Sequence, residues 1–180
     1  MSFSDFKLEK IACIGCGVIG AGWAARFIQN GIDVNIFDTD PSVSHRLTST
    51  LSNAEIALAN LTTVPRLARG LIEYKSNIRD AVFDVDLIIE SVPERLNIKH
   101  QVYKEIEAFS KKSCLIASST SGIMPSDLQS QMSYPERFYV AHPFNPVYLL
   151  PLVEIVGGEK KTSQSTIKKA LNIYRQLGMH

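Results

Sequence analysis

The chain has 180 residues, 45% of them hydrophobic, and 19 Lys and Arg against 18 Asp and Glu give a formal net charge of +1. An apolar share of this size fills a core and excludes global disorder, while near-neutrality with scattered basic residues excludes the field that draws nucleic acid or anionic lipid. Cys13, Cys16 and Cys114 are an odd number of cysteines with no second Cys/His pair at zinc spacing, so neither a disulfide framework nor a metal site is expected, and the cytoplasm is the expected compartment.

The polar segment 1–10 has no signal-peptide core, and no apolar run reaches the about 18 residues that span a bilayer, so no membrane association is expected. Residues 11–14 are an all-apolar run closed by Gly15, the way a strand buried on both faces begins a parallel sheet. Ile19, Trp23, Ala24, Phe27 and Ile28 then recur at helical spacing up to Asn30-Gly31, where Gly31 is free to adopt the left-handed conformation that closes a helix. Residues 34–37 are a second apolar run, stopped by Asp38-Thr39-Asp40-Pro41; strand, glycine turn, helix and strand make a βαβ unit.

From residue 42 to about residue 79 a helical insertion is predicted. Val43, Leu47, Leu51, Ala54 and Leu58 mark one long amphipathic helix, 61–65 interrupts it, and 67–72 reads as a shorter helical piece. Residues 86–90 restore the buried-strand pattern. A helix marked by Ile98, Val102, Ile106 and Phe109 follows, then a strand at 114–117 and a short helix opened by Pro125. Strands at 138–141 and 152–156 flank His142-Pro143-Phe144-Asn145-Pro146, whose two prolines bar strand throughout. Thr162 is the predicted cap of a last helix bearing Ile167, Ala170, Leu171 and Tyr174. The alternation predicts an α/β fold: a doubly wound, mostly parallel, Rossmann-type sheet of about six to eight strands with the helical insertion after the second strand.

Gly15-Cys16-Gly17-Val18-Ile19-Gly20 fits G-x-G-x-x-G, and its context strengthens the match: it follows a buried strand, opens a helix, and the next strand ends in Asp38. Gly15 permits the tight turn, Gly17 leaves room for a pyrophosphate against the backbone, and Gly20 lets helix and strand pack closely. The N–H groups at the helix start, through Val18 and Ile19, would hold the phosphate. Asp38, 18 residues beyond Gly20, would accept from the adenosine ribose hydroxyls. A carboxylate there repels a 2′-phosphate and no arginine lies within the next seven residues, so NAD is favoured over NADP. The alternative is a glycine turn that only closes a structural βαβ unit, and Cys16 reads as a small filler.

Ligands of such sheets bind beyond the carboxyl ends of the strands. Those ends carry Glu90-Ser91-Val92-Pro93-Glu94, then Ser118-Ser119-Thr120-Ser121-Gly122, then His142. Capping and turn formation account for part of the hydroxyl cluster. His142 and Glu154 flank the two-proline turn, and Glu154 interrupts an apolar run where burial would cost free energy unless something compensates. An imidazole held against it would do so and could serve as a general base; a satisfied core histidine and an outward-facing glutamate are the alternative. Phe144 and Tyr148 surround the turn, and Asn145 could pin it or face substrate.

Together these motifs resemble the N-terminal, NAD-binding domain of the 3-hydroxyacyl-CoA dehydrogenase superfamily, over residues 9–180. Within it, residues 142–154 most resemble the L-carnitine 3-dehydrogenases. The resemblance implies NAD-dependent oxidation of a 3-hydroxy acid at C3, L-carnitine to 3-dehydrocarnitine, with His142 as base, Glu154 as its partner, Ser118 on the substrate hydroxyl and Asn145 holding the substrate end. It also implies that Glu94 and Lys99 lie near the nicotinamide side of the cofactor, with Ser118 counted among the cofactor contacts. Acyl-CoA members usually have Ser-Asn-Thr-Ser-Ser and His-Phe-Phe-Asn-Pro where this chain has Ser118-Ser119-Thr120-Ser121-Gly122 and His142-Pro143-Phe144-Asn145-Pro146, which weakens a CoA substrate. An L-3-hydroxyacyl-CoA dehydrogenase and a non-catalytic, crystallin-like NAD(H)-binding protein are the competing readings. By the same resemblance an all-helical C-terminal domain, absent from these 180 residues, would supply the rest of the substrate pocket and the contact of a homodimer.

Overall fold

The apolar run at 11–14 lies in β1 (Lys10–Ile14), which pairs in parallel with β2 (Asp33–Phe37) on one side and β4 (Leu87–Glu90) on the other. From β4 the sheet continues in parallel through β5 (Leu115–Ser118) to β6 (Phe138–Pro143) and closes with the antiparallel β7 (Val153–Val156). β3 (Ile72–Tyr74) lies beside β2 at the other edge, so the order is β3-β2-β1-β4-β5-β6-β7. This computed structural model describes residues 8–61, 68–159 and 161–180.

Alternation along β1 feeds two cores. Ile11 and Cys13 pack with Trp23, Phe27, Tyr139 and Tyr174, under α1 (Val18–Gln29), α2 (Val43–Leu61) and α6 (Gln164–Gln176). Ala12 and Ile14 pack with Ile78, Tyr103, Ile106 and Phe138 on the opposite face, under α3 (Ile78–Val82), α4 (Leu96–Phe109) and α5 (Pro125–Leu128). Covering both faces is what a buried parallel sheet requires, and the doubly wound expectation is met. All three cysteines are buried and free. Burial pushes the Cys13 thiol well up, and pushes Cys16 and Cys114 up to about 12, so they are inert fillers rather than thiolates.

Several elements differ from the sequence expectation. The insertion is not wholly helical: residues 68–71 are irregular, Ile72–Tyr74 adds a strand beside β2 with Ile72 opposite Val34, and Ile78–Val82 is a helix capped by Asn77. The expected interruption and shorter helical piece fall partly on residues 62–67, outside the described residues. β6 runs on through His142 and Pro143, because a proline at a strand's end forfeits little of the ladder; His142 is opposite Glu154 and Pro143 opposite Val153. The last helix is capped by Ser163, whose Oγ accepts from the Thr166 N–H at 3.1 Å, while Thr162 donates its hydroxyl to the Phe138 carbonyl at 2.8 Å.

Candidate active site

Register carries the carboxyl ends of four parallel strands to one edge: Ile14 is opposite Glu90, Glu90 opposite Ser118, and Ser118 opposite Val140. Gly15 therefore follows β1 at the same edge that His142 reaches two residues beyond Val140. The three glycines of the loop have distinct surroundings. Gly15 has φ 81° and a Cβ there would stand 2.7 Å from the Ser91 carbonyl, while a Cβ on Gly20 would stand 2.0 Å from the Gly15 oxygen. At Gly17 a Cβ would meet nothing within 4 Å.

No side chain caps α1 at Gly17, so the open space lies over helix N–H groups without a side-chain acceptor. The residues thus fit a dinucleotide pyrophosphate: Gly15 and Gly20 shape the turn, and Gly17, Val18 and Ile19 front the open side. Gly20→Ala is expected to cost about 1–3 kcal/mol of stability through overpacking. Gly17→Ala is expected to cost under about 1 kcal/mol yet weaken NADH binding at least about tenfold by filling the phosphate's space. Thermal unfolding and fluorescence titration separate the two, and equal NADH affinity in Gly17→Ala would contradict the assignment.

Asp38 follows β2 and faces the loop. Its Oδ2 accepts the Cys16 N–H at 2.6 Å and its Oδ1 the Asp40 N–H at 2.8 Å. Arg46, eight residues past Asp38, comes back from α2: its Nη1 donates to the Cys16 carbonyl at 3.0 Å and lies 4.0 Å from Asp38 Oδ2.

Between β4, β5 and α4 a polar cluster is sealed inside the protein. Glu90, Ser118, Lys99 and Tyr103 are each at most 1% exposed. The Glu90 carboxylate accepts from Lys99 Nζ at 2.7 Å, the Val92 N–H at 2.8 Å, Tyr103 Oη at 2.5 Å and Ser118 Oγ at 2.7 Å. Burial, and then the Glu90 charge, pushes the Tyr103 phenol well up, which keeps it a donor. Ser118 thus donates its hydroxyl to Glu90, one of the partners a buried carboxylate needs, and its oxygen accepts the Thr120 N–H at 3.3 Å. The fully buried residues of α4 are Lys99, Tyr103 and Ile106; of the expected stripe, Ile106 is buried, Val102 packs half-buried against that core, Ile98 is half-buried and Phe109 is exposed.

Glu94 borders this cluster. It takes the Thr120 hydroxyl, the N–H groups of Ser121 and Gly122 at 3.1 and 3.2 Å, and Lys99 Nζ at 3.3 Å. Burial pushes its carboxyl up, but the Thr120 and Gly122 hydrogen bonds and the Lys99 charge outweigh it and hold the carboxyl below the usual range. A depressed folded value means the stabilisation is complete above the ordinary glutamate value and is lost as pH falls through the folded one. Glu94→Gln is expected to flatten that acid-side loss in unfolding curves measured against pH; an unchanged slope would contradict it.

His142 Nδ1 lies 2.8 Å from Glu154 Oε2, and among the described residues none hydrogen-bonds Nε2. The Glu154 side chain is 58% exposed and that of His142 34%, so the expected cost of burying this glutamate does not arise: β7 is an edge strand and Glu154 points outward. Phe144, also exposed, stands 6.0 Å from the imidazole between ring centres. Asn145 is exposed in the turn before a cis bond to Pro146, with no side-chain hydrogen bond among the described residues. Tyr148 is half-buried.

α1 joins the glycine loop to this turn. A Cβ on Gly22 would stand 3.0 Å from Val147, and Arg26 donates to the carbonyls of Val147 and Leu150 at 3.1 and 3.0 Å. Trp23 Nε1 donates to Ser119 Oγ at 3.1 Å, and Ser119 also receives the Ser91 hydroxyl at 2.9 Å. Arg26, Arg46 and Tyr103 escaped the sequence reading, and Glu90 was read only as part of a polar strand end. A charged residue closing the apolar run at 86–90 was the one available signal; the partners come from distant segments.

A glycine loop with an acid after the next strand, on a seven-stranded doubly wound sheet, defines a dinucleotide-binding domain. The profile of the family described as "3-hydroxyacyl-CoA dehydrogenase, NAD binding domain" matches residues 10–180, and the chain belongs to that family, with NAD as its cofactor. It is 53% identical over 172 residues to L-carnitine dehydrogenase/betainyl-CoA thioesterase of Rhizobium meliloti, covering 96% of this chain and 34% of that protein. To L-carnitine dehydrogenase of Mesorhizobium japonicum it is 49% identical over 173 residues, covering 96% of this chain and 47% of that protein. Among solved structures, 5-formyl-3-hydroxy-2-methylpyridine 4-carboxylic acid 5-dehydrogenase, described as an NAD+-dependent dismutase, superposes with a TM-score of 0.87 at 37% identity over 96% of this chain and 56% of that one. The chain thus spans between about a third and about half the length of these curated relatives.

Proposed function

We propose that the protein oxidises the C3 hydroxyl of a short 3-hydroxy acid with NAD, L-carnitine being the preferred substrate. The observation that carries this reading is the His142–Glu154 contact at 2.8 Å, at the sheet edge that also bears the glycine loop. Glu154 accepts from Nδ1–H, which leaves the Nε2 lone pair for a substrate hydroxyl and stabilises the imidazolium once the proton arrives. Nε2 would take the O–H proton as the C3–O bond becomes a carbonyl, and NAD⁺, held by Gly15, Gly17, Gly20 and Asp38, would supply the acceptor for the C3 hydride. The exposed Phe144 stands beside the imidazole and its aromatic face suits a quaternary ammonium, while Asn145, in the same turn, would hold the substrate end. Ser118 and Lys99 act behind the strand ends, where they hold Glu90 and through it the Val92 backbone. The relatives named L-carnitine dehydrogenase support the substrate.

The test is NADH formation by the intact protein with L-carnitine and, in parallel, with a short L-3-hydroxyacyl-CoA. Turnover of L-carnitine at least about tenfold more efficient than of the thioester is expected. The reverse order would assign the CoA substrate, and NADH binding without turnover of either would leave a nucleotide-binding protein.

A further inference from the structure

We propose that Arg46 is a second determinant of which dinucleotide the site accepts: a preformed cation for the 2′-phosphate of a phosphorylated adenosine ribose, kept from that role by Asp38. The inference rests on the reading of the glycine loop and Asp38 as the cofactor site. It starts from three charges gathered at the end of β2. The guanidinium of Arg46 donates to the Cys16 carbonyl at 3.0 Å, pairs with the Asp40 carboxylate, and receives support from Ser42 Oγ at 3.3 Å. Its Nη1 is 4.0 Å from Asp38 Oδ2.

The geometry is built rather than incidental. Asp40 Oδ1 accepts both the N–H and the hydroxyl of Ser42 at 2.8 Å, which fixes the carboxylate that holds Arg46. Asp38 is held by the Cys16 and Asp40 N–H groups. Cys16 thus offers its N–H to the acid and its carbonyl to the arginine, so both charged groups are registered to one residue of the glycine loop.

Two carboxylates and one guanidinium leave a local charge of −1, which repels a 2′-phosphate while suiting ribose hydroxyls. Neutralising Asp38 alone brings the three groups to zero and leaves a guanidinium, whose planar fork suits phosphate oxygens, beside the ribose position. Cofactor preference is therefore a property of the pair. Asp38 excludes the phosphate, and Arg46 decides whether removing that exclusion yields affinity or only tolerance.

Binding of adenosine 5′-monophosphate and adenosine 2′,5′-bisphosphate by calorimetry, which needs no turnover, reads this directly. The native protein is expected to prefer the monophosphate; if it binds neither, the cofactor-site reading itself fails. Asp38→Asn, whose amide oxygen can still accept the Cys16 N–H, is expected to shift the ratio of affinities toward the bisphosphate by about tenfold or more. Adding Arg46→Gln is expected to remove most of that shift. Arg46→Gln in the otherwise native protein is expected to move the ratio several-fold the other way, which keeps the idea exposed even where Asp38 variants fold poorly. An equal shift with and without Arg46, no shift in a folded Asp38→Asn protein, or an unchanged ratio in Arg46→Gln would each overturn the proposal.

Discussion

Replacing His142 by Asn is expected to lower kcat by about 10²–10⁴-fold, the range a positioned general base contributes, while the affinity for NADH stays within about twofold because no cofactor contact is assigned to the imidazole. Asn retains a polar group at Glu154 but offers no lone pair of useful basicity at the Nε2 position. Glu154→Gln tests the other half of the pair. Its amide oxygen cannot stabilise an imidazolium, and its NH₂ opposes the Nδ1–H tautomer that the carboxylate selects. Because the Glu154 side chain is 58% exposed, water moderates the loss, and a drop of about ten- to a hundredfold is expected, smaller than that for His142. Single-turnover measurements on the intact protein check both. A His142→Asn protein that keeps more than a tenth of native kcat would sink the acid–base assignment.

Lys99→Met is expected to cost about 3–5 kcal/mol of stability, the usual penalty for leaving one member of a buried ion pair without its counterion. Glu90 is 0% exposed, and without Lys99 Nζ its charge would rest on Val92 N–H, Tyr103 and Ser118 alone. The converse change, Glu90→Gln, is milder, because Lys99 has a second carboxylate in Glu94 at 3.3 Å and the Val92 carbonyl at 3.4 Å. Combining the two changes removes both charges, so the double variant is expected to be clearly more stable than the sum of the single losses predicts. Urea unfolding of the four proteins supplies the cycle. A loss below about 1 kcal/mol in Lys99→Met would mean that the cluster is not the buried pair it appears in geometry. The same variants are expected to loosen the backbone after β4, since Glu90 also holds the Val92 N–H.

The parts of the fold that were legible in the sequence are those whose signals are local. β1, α1 and β2 announce themselves because an all-apolar run, a glycine turn and a 3.6-residue periodicity follow one another without interruption. The glycine fingerprint was legible for the same reason. β3 was not, because it has three residues at the sheet edge and only Ile72 is even partly buried, so no alternation develops. The buried face of α4 was legible only in part, at Ile106 and Val102, because it also seats Lys99 and Tyr103 on a carboxylate delivered by β4; periodicity counts apolar residues and is blind to a polar interior satisfied from elsewhere. The pairing of His142 with Glu154 was readable from their positions around one turn, whereas the exposure of Glu154 depends on β7 being an edge strand. Arg46 stands eight residues beyond Asp38, and its return to the Cys16 carbonyl is a tertiary contact that spacing does not announce.

The grip of α1 on the β6–β7 connection, through Gly22 against Val147 and Arg26 on two carbonyls, has a mechanical consequence. The helix whose amino end fits a dinucleotide pyrophosphate is bolted to the turn that follows the imidazole, so both ride on one chassis. A shift of that turn would therefore be transmitted to the helix, and with it to the glycine loop. Under the proposed function, the alignment of the reacting atoms would then be a property of this frame.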